Sequence, residues 1–172
     1  MEIMKPMENY FLDKQKSYWR SLATSVQHPV SLNHWVDSSG NPLDISLFTQ
    51  IAQYLLIKYI GSLDTGAILE IGCGNGLIIS EIQKSLNERW ECYGTDISQE
   101  MLDRVLNKKI HLICTDAAHI PYAEGTFDLI YMHSILQYFD NDEYVNISIQ
   151  EAIRVLKKGG FIINNGCSYR LV

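Results

Sequence analysis

The chain has 172 residues, enough for one domain with a real core and too few for two independent ones. Its composition, 47% hydrophobic and 20% charged, excludes a disordered tail and a low-complexity fibre. Fourteen Lys and Arg against twenty Asp and Glu leave a formal charge of −6, which argues against duplex nucleic acid or an anionic membrane surface as the main partner. Residues 1–7 contain Glu2, Lys5 and Pro6, and no apolar run approaches the roughly 20 residues that cross a bilayer, so a cytoplasmic protein is expected. Cys73, Cys92, Cys114 and Cys167 form no CxxC pair and no zinc spacing; buried thiols in a reducing compartment are expected, with no metal site.

Residues 1–43 mix polar residues with Tyr10, Phe11, Tyr18, Trp19 and Trp35 and are punctuated by His28-Pro29 and by the Ser-Ser-Gly-Asn-Pro run at 38–42, which marks an irregular appendage. Asp44 suits a helix cap for 45–60, where Leu47, Phe48, Ile51, Ala52, Leu55 and Tyr59 recur at helical spacing before Gly61. From Ala67 the rhythm becomes short apolar runs alternating with helix patterns, the signature of parallel βαβ units. Strands are predicted at 67–71, 90–95, 110–115, 127–132 and 161–164, and helices at 77–86, 99–106 and 142–156. Asp96-Ile97-Ser98 opens the second of these helices, Asp140-Asn141 opens the third, and Gly159-Gly160 is expected to end the third.

The most informative stretch is Glu70-Ile71-Gly72-Cys73-Gly74-Asn75-Gly76-Leu77, a buried strand running into glycines and then a helix. Glycine permits a sharp turn and close approach to a ligand, and the following helix presents unpaired N–H groups. A nucleotide-binding unit places an acid at the end of its second strand, roughly 20 residues beyond the glycines, where its carboxylate takes both ribose hydroxyls. Asp96 stands there; the alternative is that it merely caps the next helix. The third glycine of the dinucleotide fingerprint is replaced by Leu77, which disfavours a nicotinamide-dependent oxidoreductase.

Over residues 44–165 the chain resembles the class I S-adenosylmethionine-dependent methyltransferases of the small-molecule type. The resemblance implies an α/β, Rossmann-like parallel sheet of order 3-2-1-4-5 with helices on both faces, in a domain spanning 44–172, with 1–43 as a lid. It also implies S-adenosylmethionine as cofactor and S-adenosylhomocysteine as product. Glu70 would lie near the cofactor's amino group, Gly72, Cys73 and Gly74 along its methionine part, Asp96 on the ribose, and Ile97 on the adenine face. Asp116 would accept from the adenine amino group and Ala117 would offer its backbone N–H. Asp128, which begins a strand, is expected to have a structural role instead. The family's last antiparallel hairpin has no room before Val172, so the domain is expected to be truncated after the fifth strand. The apolar run Phe161-Ile162-Ile163 would then be an edge that a second copy could cover.

The implied reaction is an in-line methyl transfer to a small-molecule acceptor, for which positioning can supply on the order of 7 to 11 kcal/mol. His133, at the end of the fourth strand, is the candidate base or cofactor contact, and Tyr10, Tyr18, Trp19, His28 and His34 are the candidate lid and substrate residues. A non-catalytic cofactor-binding scaffold on the same fold is the alternative.

Overall fold

A computed structural model describes residues 13–21, 50, 54, 56–60, 63–86, 88–139 and 141–165. Tyr10, His28 and His34 lie outside the described residues, as does most of the expected 45–60 helix. The latter's end is a π-helical turn, Leu56–Ile60, which tucks Ile60 into the core. Residues 13–21 form a first helix, α1.

The elements that follow are β1 (Gly66–Ile71), α2 (Leu77–Ser85), β2 (Trp90–Asp96), α3 (Gln99–Leu102), β3 (Ile110–Cys114), β4 (Phe127–His133), a 3-10 turn (Leu136–Tyr138), α4 (Asp142–Val155) and β5 (Leu156–Asn165). The five strands pair in parallel in the order β3-β2-β1-β4-β5. Consecutive residues of the central strands point to opposite faces, and both faces are covered, which is why these strands read as unbroken apolar runs. On one face Ile68, Leu129 and Tyr131 pack with Ile78, Ile79 and Ile82 of α2. On the other, Leu69, Ile130 and Met132 pack with Val145, Ala152 and Val155 of α4.

Two boundaries differ from the sequence reading. The expected 99–106 helix stops at Leu102, after which Arg104 and Val105 make tight turns onto Met101 and Leu102. This brings Val105, 1% exposed, against Gly76 and leaves Leu106 in solvent. At the other end of the domain, α4 gives way at Leu156 (φ −80°, ψ 137°) directly to β5, so Gly159-Gly160 do not terminate the helix. Leu156 pairs with Phe127 and Phe161 with Leu129, and the extra residues between them bulge away from β4. Gly160 lies where a Cβ would approach the Asp128 carbonyl to 2.8 Å, so this glycine serves strand packing.

Candidate active site

The chain leaves β1 through Gly72 and turns back on β2: the N–H groups of Gly72 and Cys73 both donate to the Thr95 carbonyl, at 2.7 and 2.9 Å. Gly72 (φ +73°) has no alternative residue, because a Cβ there would stand 2.3 Å from Ile135 Cγ2. Gly74 (φ +54°) has only Met101 Cε near its missing Cβ, at 3.3 Å, and its backbone faces a cleft at the carboxyl end of the sheet. Open α/β sheets place ligands at this end.

Asp96 ties the two loops of this cleft together. Its Oδ2 accepts from Gly74 N–H at 2.8 Å and its Oδ1 from Ser98 N–H at 2.9 Å. Burial pushes its carboxyl above the usual range, while hydrogen bonds from the Ser98, Gly74 and Ile97 amides pull it back. Each oxygen keeps a second acceptor direction. The cap of α3 is Ser98, whose Oγ accepts from Met101 N–H at 3.3 Å, so Asp96 is not needed for that role.

Three residues grouped with Asp96 in the sequence stand elsewhere. Glu70 is 2% exposed and turns under α2, where its Oε2 accepts from Ile79 N–H at 2.9 Å. Gly76, the residue preceding α2, offers no side-chain cap, and Glu70 supplies the missing acceptor from β1. Burial holds its carboxyl well above the ordinary range. The Cys73 thiol is buried against the site of the absent Gly94 side chain, and burial raises its pKa. The Asp116 carboxylate accepts from Ala118 N–H at 2.7 Å and from the Tyr144 hydroxyl at 3.3 Å, with the His119 ring 3.1 Å away. It braces the wall of the cleft, while its neighbours Thr115 and Ala117 line it.

The cleft encloses about 150 Å³. Of the residues singled out in the sequence, Gly72, Gly74, Asp96, Ile97, Ala117 and His133 line it together with Trp19. His133 ends β4, with Nδ1 3.2 Å from the Tyr131 hydroxyl, and burial lowers its pKa. Tyr18 is 53% exposed and packs edge-on against Trp19, so it supports that ring from outside. Trp19 and Gln15 reach in from α1. Trp19 meets Tyr138 edge-to-face at 5.1 Å on one rim, and Arg20 pairs with Glu100 on the other. Tyr138, Phe139 and Tyr144 also line the cleft and were not singled out in the sequence. Phe139 and Tyr144 form a second edge-to-face pair, at 4.9 Å. The signal for them was the aromatic spacing around Asn141, which caps α4 through Tyr144 N–H and so aims that helix's first turn at the cleft.

Comparison with known proteins assigns this architecture. The methyltransferase domain family matches residues 69–164. A nonribosomal peptide synthetase of Salinispora arenicola, CymA, is 26% identical over 166 residues, which are 88% of this chain and 2% of that protein. A tRNA (carboxymethyluridine(34)-5-O)-methyltransferase of Arabidopsis thaliana is 30% identical over 106 residues, 61% of this chain and 25% of that protein. The chain thus spans a quarter or less of these two relatives. The geranyl diphosphate C-methyltransferase of Streptomyces coelicolor A3(2), solved with S-adenosyl-L-homocysteine, shares the fold: TM-score 0.66 and 16% identity over 96% of this chain and 67% of that one. With its parallel sheet of order 3-2-1-4-5, its glycine loop and a family match over more than half its length, the chain belongs to the class I S-adenosylmethionine-dependent methyltransferases.

Proposed function

We propose that the cleft binds S-adenosylmethionine and that the chain directs its methyl group to a small-molecule acceptor. The observation that carries this reading is the Asp96 carboxylate, fixed at the end of β2 by two backbone N–H groups and facing the cleft beside the Gly72–Gly74 turn. The residues present fit the cofactor. Asp96 retains two acceptor directions for a vicinal diol. Ile97 and Met101 give the cleft apolar surface and Phe139 and Tyr144 give it rings, which suits a flat base. Gly74 leaves the space of a side chain open beside them.

When bound, the cofactor supplies an electrophilic methyl on a sulfonium, and the chemistry demands little more of the protein than alignment. Trp19 and Gln15 line the cleft from α1, and the Asp96 bridge holds the two loops in register. The free thiols of Cys73, Cys92 and Cys114 suit a reducing, cytoplasmic setting. Among the described residues no helix is long and apolar enough to cross a membrane.

The Arabidopsis relative's tRNA-directed name favours a second reading, an RNA acceptor, against which stands the formal charge of −6. Calorimetric titration with S-adenosylmethionine, S-adenosylhomocysteine and NAD tests the cofactor; binding of NAD alone would overturn the proposal. Methyl transfer to bulk tRNA, absent with a panel of small acceptors, would replace the first acceptor class by the second.

A further inference from the structure

One wall of the cleft is carried by a segment with no helix or strand of its own. Residues 115–126 join β3 to β4, and Thr115 and Ala117 of this segment line the cleft. Local bonds fold it into turns: Ala118 N–H donates to Asp116 at 2.7 Å, and the Thr115 hydroxyl donates to the His119 carbonyl. Burial of Ile120, 2% exposed, draws the segment into the core, but apolar burial is non-directional and does not fix how the backbone is turned. Beyond Thr115 N–H on the Asp96 carbonyl, the hydrogen bonds that tie this segment to other elements among the described residues run to α4.

The centre of this attachment is a pair of charged side chains about one turn apart on α4. Arg154 meets the Glu151 carboxylate with two N–H groups, Nε on Oε2 and Nη2 on Oε1, both at 2.7 Å. The same guanidinium reaches across to the segment, Nη2 donating to the Ile120 carbonyl and Nη1 to the Tyr122 carbonyl, both at 2.8 Å. Glu151 Oε1 completes the clamp by accepting from Ile120 N–H at 2.9 Å. The Arg154 guanidinium also holds the Glu151 carboxyl below its usual range, so the acceptor stays charged. From this geometry we infer that Arg154 and Glu151 are positioning residues for the cleft. They grip both backbone polar groups of Ile120 and so set the place of Thr115 and Ala117 in the wall, without lining the cleft themselves.

The shape of the guanidinium matters here more than its charge. A planar fork serves a carboxylate and two carbonyls in fixed directions, whereas an ammonium in its place keeps the attraction for Glu151 and loses those directions. At its far end the segment is attached by the N–H groups of Gly125 and Thr126, which donate to the Arg154 and Val155 carbonyls and do not depend on the Arg154 side chain. Loss of the guanidinium therefore frees the stretch from 116 to 122 and leaves the entry into β4 in place. The consequence for binding rests on the proposed function: a wall that is not held costs affinity for the cofactor although no contact to it has been removed.

The first test needs no ligand. Amide hydrogen exchange of the whole chain should be faster at residues 118–120 in Arg154→Met than in the unaltered chain, with the strand amides of Leu69 and Ile130 unchanged. Unaltered exchange at 118–120, or a rise shared equally by Leu69 and Ile130, overturns the inference. Where Arg154→Met does not fold, Glu151→Gln, which keeps an acceptor and removes the charge, is read in the same way with a smaller expected rise. The second test is titration with S-adenosylhomocysteine. Affinity should fall roughly two- to thirtyfold in Arg154→Met and about as far in Arg154→Lys. It should not change in Lys157→Met, which removes the ion pair with Asp128 at the opposite end of the sheet. An unchanged affinity in Arg154→Met, full recovery in Arg154→Lys, or an equal loss in Lys157→Met each overturns the assignment. No binding by the unaltered chain counts against the proposed function instead, and the exchange rates alone then decide the clamp.

Discussion

Asp96 and Asp128 stand at opposite ends of the same sheet, and each knits neighbouring chain segments together. Asp96 divides its oxygens between Gly74 and Ser98, one backbone N–H each, which leaves acceptor capacity pointing into a cleft. Asp128 gathers the Ala67 N–H and the Lys157 ammonium on one oxygen, both at 2.8 Å, and closes the amino end of β1, β4 and β5. The surroundings teach the same lesson. At the carboxyl end the strands stop short and hand over to turns with positive φ, Gly72, Gly74 and even Ser134 (φ 53°). At the amino end Gly66 is wedged between the Trp90 ring and Asp128 with no space to spare. The cleft lies at the end where the packing is incomplete.

The largest effects should come from glycine substitutions that break this comparison from both sides. Gly72→Ala puts a Cβ 2.3 Å from Ile135 at a left-handed φ, and Gly66→Ala puts one 2.5 Å from the Trp90 ring. Overpacking predicts a loss of about 2 to 4 kcal/mol in each, read by urea unfolding. Only Gly72→Ala, which drives Ile135 toward the cleft, should also weaken S-adenosylhomocysteine binding in the folded fraction. An equal loss of affinity in Gly66→Ala would erase the distinction between the two ends. Next in size is Asp96→Ala, expected to weaken cofactor binding by about 1.5 to 3 kcal/mol, the scale of hydrogen bonds to a charged group. Asp128→Ala should lower stability and leave affinity alone. Calorimetry that found the same dissociation constant for Asp96→Ala and the unaltered chain would remove Asp96 from the site.

How far the sequence exposed this arrangement follows from whether each residue acts locally. The central strands were legible because Ile68–Ile71 and Leu129–Met132 are buried on both faces and admit no polar interruption except Glu70, whereas their order came only with the family resemblance. The place of Asp96, at the end of β2 and lining the cleft, was legible from its spacing. Glu70 was expected near the cofactor's amino group from its place beside the glycines; the partner its carboxylate has in the structure, the first turn of α2, is visible only once the helix is packed on β1. Tyr138 and Tyr144 were missed for the same reason: their place in the cleft depends on how the turn after β4 and the start of α4 fold back over it. Glu70 yields a prediction of intermediate size. Its carboxyl is raised well above 4.5 by burial, so the folded state holds a proton that the unfolded chain releases, and stability falls as pH rises above about 4.5. Glu70→Gln keeps an acceptor for Ile79 and removes the charge, so stability at pH 7 should rise on the order of 1 kcal/mol and the decline with pH should flatten. A pH–stability curve unchanged by the substitution would refute the assignment.

The smallest effects belong to α1, which bridges the cleft by two dissimilar contacts. The Trp19–Tyr138 pair is apolar and directional, worth about 0.5 to 1.5 kcal/mol beyond its buried area. The Arg20–Glu100 pair is exposed, with 65% of the arginine side chain in solvent, and such pairs contribute little and fade with salt. Trp19→Ala should therefore weaken S-adenosylhomocysteine binding by up to about tenfold at any ionic strength. Arg20→Gln should weaken it less than about fivefold at low salt and not at all near 1 M salt, where the screening length is about 3 Å. The pairing of the two variants decides what holds α1: a salt-sensitive loss in Trp19→Ala, or a salt-insensitive one in Arg20→Gln, would mean that α1 is held by contacts other than these two.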